Sequence, residues 1–246
     1  MIDTTRSVDD QSALSSNGAE RPSNPTALRV SLAVIAVYWL YELSSRSNPT
    51  LPGTFQELVL GVVRIKLIVF IAIVALLRLQ RERFASIGFS SRNWPTHLGM
   101  GLAIGTVMFV GLNVVLTSVM NSLIPHPASS AASILSFFRV PRNLLVWLPI
   151  GIFGGGLVEE MERIFVITRF EQWLGRPGLV LGIVLSSAMF GFGHLYQGLG
   201  AALSTACSGL VFALVFLRRR SAIEPVVAHA FSDVLAMIAA TLLAQS

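Results

Sequence analysis

Long apolar runs, separated by short polar stretches, make up most of the chain after residue 28. A helix needs roughly 20 mostly apolar residues to cross a bilayer. Seven runs come near that length, at about 29–44, 57–78, 97–121, 144–170, 178–197, 199–217 and 224–244. The pattern therefore predicts an all-α fold, a polytopic transmembrane helical bundle of about seven spans.

The polar and apolar positions divide the chain into three parts. Residues 1–27 are polar and rich in Ser, Asp and Asn, which predicts a disordered N-terminal tail. Residues 28–142 contain the N-terminal transmembrane helices. Residues 143–246 contain the remaining spans, and both a cluster of acidic residues and two histidines lie inside those spans. We therefore expect any chemistry to reside in this last part.

Composition supports an integral membrane protein. Of 246 residues, 53% are hydrophobic and 13% are charged, whereas a soluble domain has about 25% charged residues. The net charge of +5 comes mostly from basic residues between the apolar runs, where they anchor loops, so we expect contacts with lipid and no nucleic-acid partner. Arg46, Arg64 and Lys66 are counted as near one of these loops. The expected location is a prokaryotic plasma (inner) membrane.

The fourth apolar run contains the acidic cluster, formed by Glu159, Glu160 and Glu162 with Arg163. An isolated charge in hydrocarbon is costly, so these carboxylates must be paired, protonated or hydrated. On a helix Arg163 can reach either of the first two carboxylates. Two interpretations stay open: a structural salt bridge, or a general base held ionised by the arginine. The glycines at 154–156 would let a neighbouring helix approach the cluster.

Two histidines and an aspartate lie in later spans. His194 falls near the end of its run, and His229 is followed four residues later by Asp233, so these two share a helix face. A lone histidine on an apolar helix is usually a packed core residue, but two of them beside an acidic cluster indicate a site. His97 and His126 are interpreted as structural or solvated. Cys207 is expected to pack in its apolar run.

Helical rise tests whether these residues can meet. Glu159 and His194 lie 17 and 18 residues from Arg176, on two antiparallel spans joined there, so equal depth is expected. His229 lies only nine residues after Arg220, which predicts a different depth. A tilted or broken helix would be needed to bring His229 to the other two.

These segments resemble the CPBP family, the CAAX protease and bacteriocin-processing membrane proteins that include type II CAAX prenyl endopeptidases. The family pattern is Glu-Glu-x-x-x-Arg, then Phe-x-x-x-His, then His-x-x-x-Asn/Asp, each on its own transmembrane helix. The matching residues here are Glu159 and Glu160, then Phe190 and His194, then His229 and Asp233. The resemblance covers roughly residues 144–240 and identifies 143–246 as a catalytic transmembrane core.

The chain departs from the family pattern at two positions. Ile164 stands where the family has its arginine, and Arg163 comes one residue earlier, about 100° around the helix. Asp233 stands where asparagine is common, and an ionised aspartate has no proton to donate to an oxyanion.

The resemblance implies an intramembrane endopeptidase that hydrolyses a peptide bond in a membrane-associated, CAAX-type prenylated peptide or protein. In one mechanism Glu159 and His194 activate a water, His229 and position 233 stabilise the oxyanion, and no cofactor is required. In the other mechanism His194, His229 and Glu159 hold a divalent metal such as zinc. The implied catalytic set is Glu159, Glu160, Arg163, His194, His229 and Asp233.

Two other functions remain as alternatives. A non-catalytic immunity or scaffolding membrane protein of the same fold is favoured by the altered positions Arg163 and Asp233. A proton-coupled transporter would use the same buried acids and histidines as a relay. The lack of an obvious inverted repeat counts against transport.

Overall fold

A computed structural model of the chain describes residues 24–46, 53–90, 93–124 and 136–245. Within these ranges there are seven long helices and no strand, which confirms the predicted all-α bundle. The helices are α1 (Pro25–Arg46), α2 (Phe55–Leu79), α3 (Trp94–Leu123), α4 (Pro141–Leu174), α5 (Arg176–Phe192), α6 (Leu199–Arg219) and α7 (Ile223–Leu243).

The N-terminal boundary differs slightly from the expectation. The predicted tail lies outside the described residues up to residue 23, and so does His126. Helix α1 begins at Pro25, within the segment predicted as tail. The Asn24 side chain accepts a hydrogen bond from the Ala27 amide at 3.1 Å, and proline at the first helical position favours a helix start there.

Six of the seven helices are long and apolar enough to cross a membrane, and the exception is α5, a 17-residue apolar helix. The span predicted at 178–197 therefore ends earlier than expected, at Phe192. Gly191 and Gly193 lie at this end and are poor helix formers, and a short 3₁₀ turn at Leu195–Gln197 follows. His194 thus lies in the turn after α5. Cys207 is exposed on α6, so the expectation that it packs inside the protein is wrong.

Helix α4 is not regular along its length. A π-helical segment, Gly151–Glu159, leads directly into the α-helical segment Glu160–Leu174. Pro149, just before it, cannot donate a backbone hydrogen bond and its ring clashes with the preceding turn, which disfavours a regular α-helix here. The acidic cluster begins at the last residue of this wide segment.

Glycines allow α3 and α4 to pack closely on α7. A methyl group at Gly156 would lie 2.5 Å from the Cβ of Ala230, and one at Gly105 would lie 2.7 Å from the carbonyl oxygen of Ala228. Side chains larger than hydrogen would therefore separate these helices. The predicted close approach at the glycines before the acidic cluster is confirmed, and the neighbour is α7.

The turn between α6 and α7 is recessed into the protein. The Ala222 amide donates a hydrogen bond to the Gly88 carbonyl at 2.9 Å, and both Ser221 and Ala222 are buried. Gly88 has a φ of +88°, and a Cβ there would lie 2.8 Å from the Ala222 nitrogen. Helix α7 therefore starts beneath the segment after α2 and not at the membrane edge.

Candidate active site

Glu160 joins α4 to α7. Its side chain is fully buried, and its Oε1 accepts hydrogen bonds from Arg163 and from the Nδ1 of His229, the latter at 2.7 Å. The bond to the carboxylate fixes Nδ1 as the protonated ring nitrogen, so Nε2 faces away from Glu160. Arg163 therefore pairs with Glu160, one of the two carboxylates that helix spacing puts within its reach.

The family's arginine position is an apolar core position in this chain. Ile164 is fully buried and packs with Met161 and Phe165 in the largest apolar cluster. Arg163, one residue earlier, is directed instead toward the polar cluster. The departure from the family pattern therefore moves the arginine to a different face of α4.

Glu159 occupies a different environment from its neighbour. Its side chain is 14% exposed, and its Oε1 lies 2.6 Å from the Nζ of Lys66 on α2. Its Oε2 lies 3.7 Å from the Nε2 of His229. A carboxylate that is ionised, fixed at one oxygen and partly accessible at the other can serve as a general base.

Lys66 is the member of the site that sequence reasoning missed. The count of basic residues places Lys66 near a loop, whereas in the structure it lies inside α2, close to the helix centre, and pairs with Glu159. A signal was present, since Lys66 falls inside the span predicted at 57–78, where an ionisable residue indicates a functional position. The sequence did not indicate which helix would provide its partner.

Asp233 approaches the same imidazole from one turn further along α7. Its Oδ2 lies 3.7 Å from the Nε2 of His229, as the four-residue spacing predicts. Gly155 provides the space, because a Cβ at that position would collide with the Asp233 carboxylate. His229 is thus surrounded by Glu159, Glu160 and Asp233.

The expected difference in depth between His229 and Glu159 is wrong, because His229 Nε2 lies 3.7 Å from Glu159 Oε2. Counting from Arg220 assumed that the turn before α7 lies at the membrane edge. The recessed turn at Ala222 lowers the start of α7, so His229 reaches Glu160 after few residues. No break in α7 is needed.

His194 joins the site through Phe190. The His194 Nδ1 donates a hydrogen bond to the Phe190 carbonyl at 2.9 Å, which orients the ring. The Phe190 ring centroid lies 5.0 Å from that of His194 and 5.6 Å from that of His229, and the Arg163 guanidinium lies 4.4 Å from the same ring. Phe212 stacks on the other side of His229, with ring centroids 4.7 Å apart. The aromatic rings hold the cation and both histidines in a desolvated arrangement.

The site has an outer layer of residues that line a cavity of about 570 Å³ and an inner layer buried behind the cavity wall. Lys66, Glu159, His194 and Asp233 line the cavity, together with residues of α1 and α2. Glu160 and His229 are almost fully buried behind this wall. The structure therefore brings all six predicted site residues together, with three of them (Glu159, His194 and Asp233) most open to a ligand.

The donor set His194, His229 and Glu159, expected to hold a divalent metal such as zinc if one binds, fits a metal poorly. The ammonium of Lys66 lies 2.6 Å from one Glu159 oxygen, and its positive charge opposes a second cation at that carboxylate. The bond from His229 Nδ1 to Glu160 leaves Nε2 available, so His229 itself does not argue against a metal. Within the described residues, no group of three or more His, Cys, Asp or Glu is arranged to hold a metal ion. The chemistry proposed below accordingly uses side chains of the chain alone.

Comparison with known proteins gives one match. The family model described as type II CAAX prenyl endopeptidase Rce1-like matches residues 141–235. This range extends from the first turn of α4 into α7 and contains every predicted site residue. Neither the curated proteins nor the solved structures gave a match. Residues 141–235 are therefore similar to that family, and the predicted resemblance to the CAAX protease family is confirmed over that range.

Proposed function

We propose that this protein is an intramembrane endopeptidase in which Glu159 activates the attacking water. The observation that carries the proposal is the Glu159 carboxylate on the wall of a membrane-embedded cavity that His194 also lines, within a segment that matches a family of prenyl endopeptidases. The cavity is large enough to admit a peptide segment and water. The surrounding apolar helices limit access of bulk water, which strengthens each electrostatic contact at the site.

In the proposed reaction Glu159 accepts a proton from water as the water oxygen bonds to the substrate carbonyl carbon. The resulting tetrahedral intermediate collapses, the carbon–nitrogen bond breaks, and the proton on Glu159 passes to the leaving amine. His194 lies on the same cavity wall with its Nδ1 bound to Phe190, so Nε2 is the ring nitrogen that positions the water. One carboxylate thus serves as base and then as acid.

His229 is the proposed donor to the oxyanion. Contacts join two cations, Lys66 and Arg163, to three carboxylates, Glu159, Glu160 and Asp233. An imidazolium at His229 balances these charges, which a low-dielectric surrounding favours. Its Nε2–H is then directed toward Glu159 and Asp233, at the side of the cavity, where a preorganised donor stabilises developing negative charge.

An apolar groove supports a substrate that carries a hydrocarbon chain. The groove has a volume of about 580 Å³, lies between α1, α2 and α4, and is lined almost entirely by apolar side chains. Tyr38, Trp39, Tyr41 and Glu162 line both this groove and the polar cavity. A lipid chain in the groove would place an attached peptide beside Glu159, as a prenylated C-terminal peptide requires.

The test is hydrolysis of a farnesylated CAAX peptide by the purified protein in proteoliposomes, with the peptide fragments identified by mass spectrometry. We expect cleavage by the wild type, loss of cleavage in Glu159→Gln, and much slower cleavage of the same peptide without its lipid. Full activity in Glu159→Gln would overturn the assignment of the base. Loss of wild-type activity after exhaustive chelation, restored by a divalent metal, would overturn the metal-free mechanism.

A further inference from the structure

Lys66 is a cation in the middle of a membrane-spanning helix. Helix α2 runs from Phe55 to Leu79, and Lys66 lies close to its centre. A lysine at the centre of a span costs several kcal/mol unless it is paired or reaches water. Its side chain is only 18% exposed, so pairing has to supply most of that stabilisation.

The partner of Lys66 is the proposed catalytic base. Its ammonium lies 2.6 Å from Glu159 Oε1, a distance typical of a charge-assisted hydrogen bond. Gly154 makes room for the lysine stem, because a Cβ there would lie 3.3 Å from the Lys66 Cγ. The contact therefore depends on a residue with no side chain in the π-helical segment of α4.

Arg163 does not perform this role. Arg163 also lines the cavity, but its guanidinium bonds to Glu160 and lies over the Phe190 ring. Lys66 is the cation that the ion pairs place against Glu159. The chain thus supplies the counter-charge of its base from α2, a helix that lies outside the matched segment 141–235.

We propose that Lys66 is a positioning residue that keeps Glu159 ionised and fixes its Oε1, so that Oε2 takes the proton from water. This inference rests on the proposed endopeptidase function. It adds to the site a residue from the N-terminal part of the chain. Residues 141–235 would accordingly be incomplete as a catalytic unit.

The activity test compares Lys66→Gln, Lys66→Arg and Arg64→Gln. Arg64 is an exposed basic residue two positions away on the same helix and serves as the matched control. We expect Lys66→Gln to lower kcat about 100-fold with little change in KM. The reason is that a protonated Glu159 cannot act as the base, while the cavity that binds the substrate is retained. Lys66→Arg should recover part of kcat, and Arg64→Gln should match the wild type. Equal kcat in Lys66→Gln and Arg64→Gln would overturn the proposal.

An infrared measurement tests the same inference without relying on turnover. The difference spectrum between each protein and its Glu159→Gln variant isolates the Glu159 carboxyl vibration. We expect an ionised carboxylate band in the wild type and a protonated carboxylic acid band in Lys66→Gln at neutral pH. An unchanged carboxylate band in Lys66→Gln would overturn the role of Lys66. If the wild type cleaves no peptide, the endopeptidase function fails, while this spectrum still decides the role of Lys66.

A second variant covers the case in which Lys66→Gln fails to fold. Gly154→Val retains both charges but presses a side chain against the Lys66 stem. We expect a kcat about 10-fold below that of the wild type and a weaker carboxylate band, because the ion pair is stretched. Wild-type kcat and spectrum in a folded Gly154→Val protein would contradict the proposed contact.

Discussion

Two groups in the described part of the chain combine a buried glutamate with one histidine and one arginine. The first is Glu160, His229 and Arg163, and the second is Glu224, His97 and Arg219. The histidine–glutamate contact is nearly the same, since the distance from histidine Nδ1 to glutamate Oε1 is 2.7 Å in the first and 2.9 Å in the second. The arginines differ, since Arg163 is 3% exposed and Arg219 is 36% exposed. The residue types alone therefore do not distinguish the groups.

Their surroundings do. The first group lies beside Glu159, a second carboxylate that lines the cavity. No member of the second group lines that cavity, although Glu224 lies on α7 as His229 does. The second group instead ties together the first turns of α3 and α7 and the end of α6. We infer from the comparison that a buried histidine–glutamate pair fixes helix packing, and that an accessible second carboxylate is what makes such a pair part of the proposed active site.

The largest expected contrast is between Glu159→Gln and His97→Ala. Glu159→Gln removes the proposed base and should lower kcat at least about 1,000-fold. His97→Ala removes the histidine of the second group and should leave kcat within about 3-fold of the wild type, because it is distant from the cavity. Cleavage of the farnesylated peptide measures both. A comparable loss in both variants would erase the distinction between the groups.

Removing the glutamate of either group should destabilise the protein, but to different extents. Glu160→Gln leaves the buried Arg163 without its charged partner, so we expect a loss of about 3 kcal/mol. Glu224→Gln leaves Arg219, which is 36% exposed and can be hydrated, so we expect a smaller loss of about 1 kcal/mol. Unfolding in detergent, followed by the change in helical circular dichroism, measures this loss. Only Glu160→Gln should also lower kcat in protein that remains folded. An unaffected stability in Glu224→Gln would show that the second group is not structural.

Two glycines in π-helical segments allow a test of the space around Asp233. Gly155→Ala places a methyl group against the Asp233 carboxylate, whereas a Cβ at Gly111 in α3 meets no atom within 4 Å. We expect about a 10-fold lower kcat for Gly155→Ala, because Asp233 must move relative to His229. Gly111→Ala should be neutral. Equal activity of the two variants would mean that the position of Asp233 does not matter for turnover.

The smallest expected effect concerns the ion pair between Glu82, which follows the end of α2, and Arg169, which lies near the end of α4. Burial raises the pKa of the Glu82 carboxyl, but the hydrogen bonds from Arg169 and the charge of Arg169 outweigh this effect. The pKa of Glu82 therefore lies below its usual range. A carboxyl with a lowered folded-state pKa adds stability at neutral pH, and that stability is lost as the pH falls from about 5 through the folded-state pKa.

We therefore expect Glu82→Gln to melt at a lower temperature than the wild type at neutral pH, with the difference shrinking in acid. Thermal melts of both proteins across this pH range provide the measurement. A difference that stays constant with pH would show that the charge of Glu82 contributes nothing. This pair then serves as the reference for a purely structural contact. The stability lost in Glu82→Gln can be compared with the stability lost in Glu160→Gln and Glu224→Gln.

Several features of the molecule follow directly from the sequence. Apolar run length predicts the helices, because a bilayer span requires a fixed number of residues. The types of residue at Glu159, His194 and His229 predict a site, because such groups are costly in hydrocarbon. Helix spacing also predicts that Asp233 and His229 lie on one face.

The missed features all depend on how helices meet. Periodicity places Lys66 on a face of α2 but does not show that this face packs on α4. The π-helical segment before Glu159 changes the number of residues per turn, so counting by the α-helical period fails there. The depth of His229 depends on a hydrogen bond between Ala222 and Gly88, which are distant in sequence.

That hydrogen bond has a consequence for how variation in this chain should be interpreted. Gly88 lies in the segment between α2 and α3, far along the chain from Glu159, His194 and His229, yet its backbone holds the start of α7. A Cβ at Gly88 would clash with the Ala222 nitrogen and the Arg220 carbonyl oxygen, so we expect a side chain there to displace the start of α7 and with it His229. The position of His229, the proposed oxyanion donor, therefore depends on the loop that contains Gly88. A substitution at Gly88 would act as an active-site mutation at a distance.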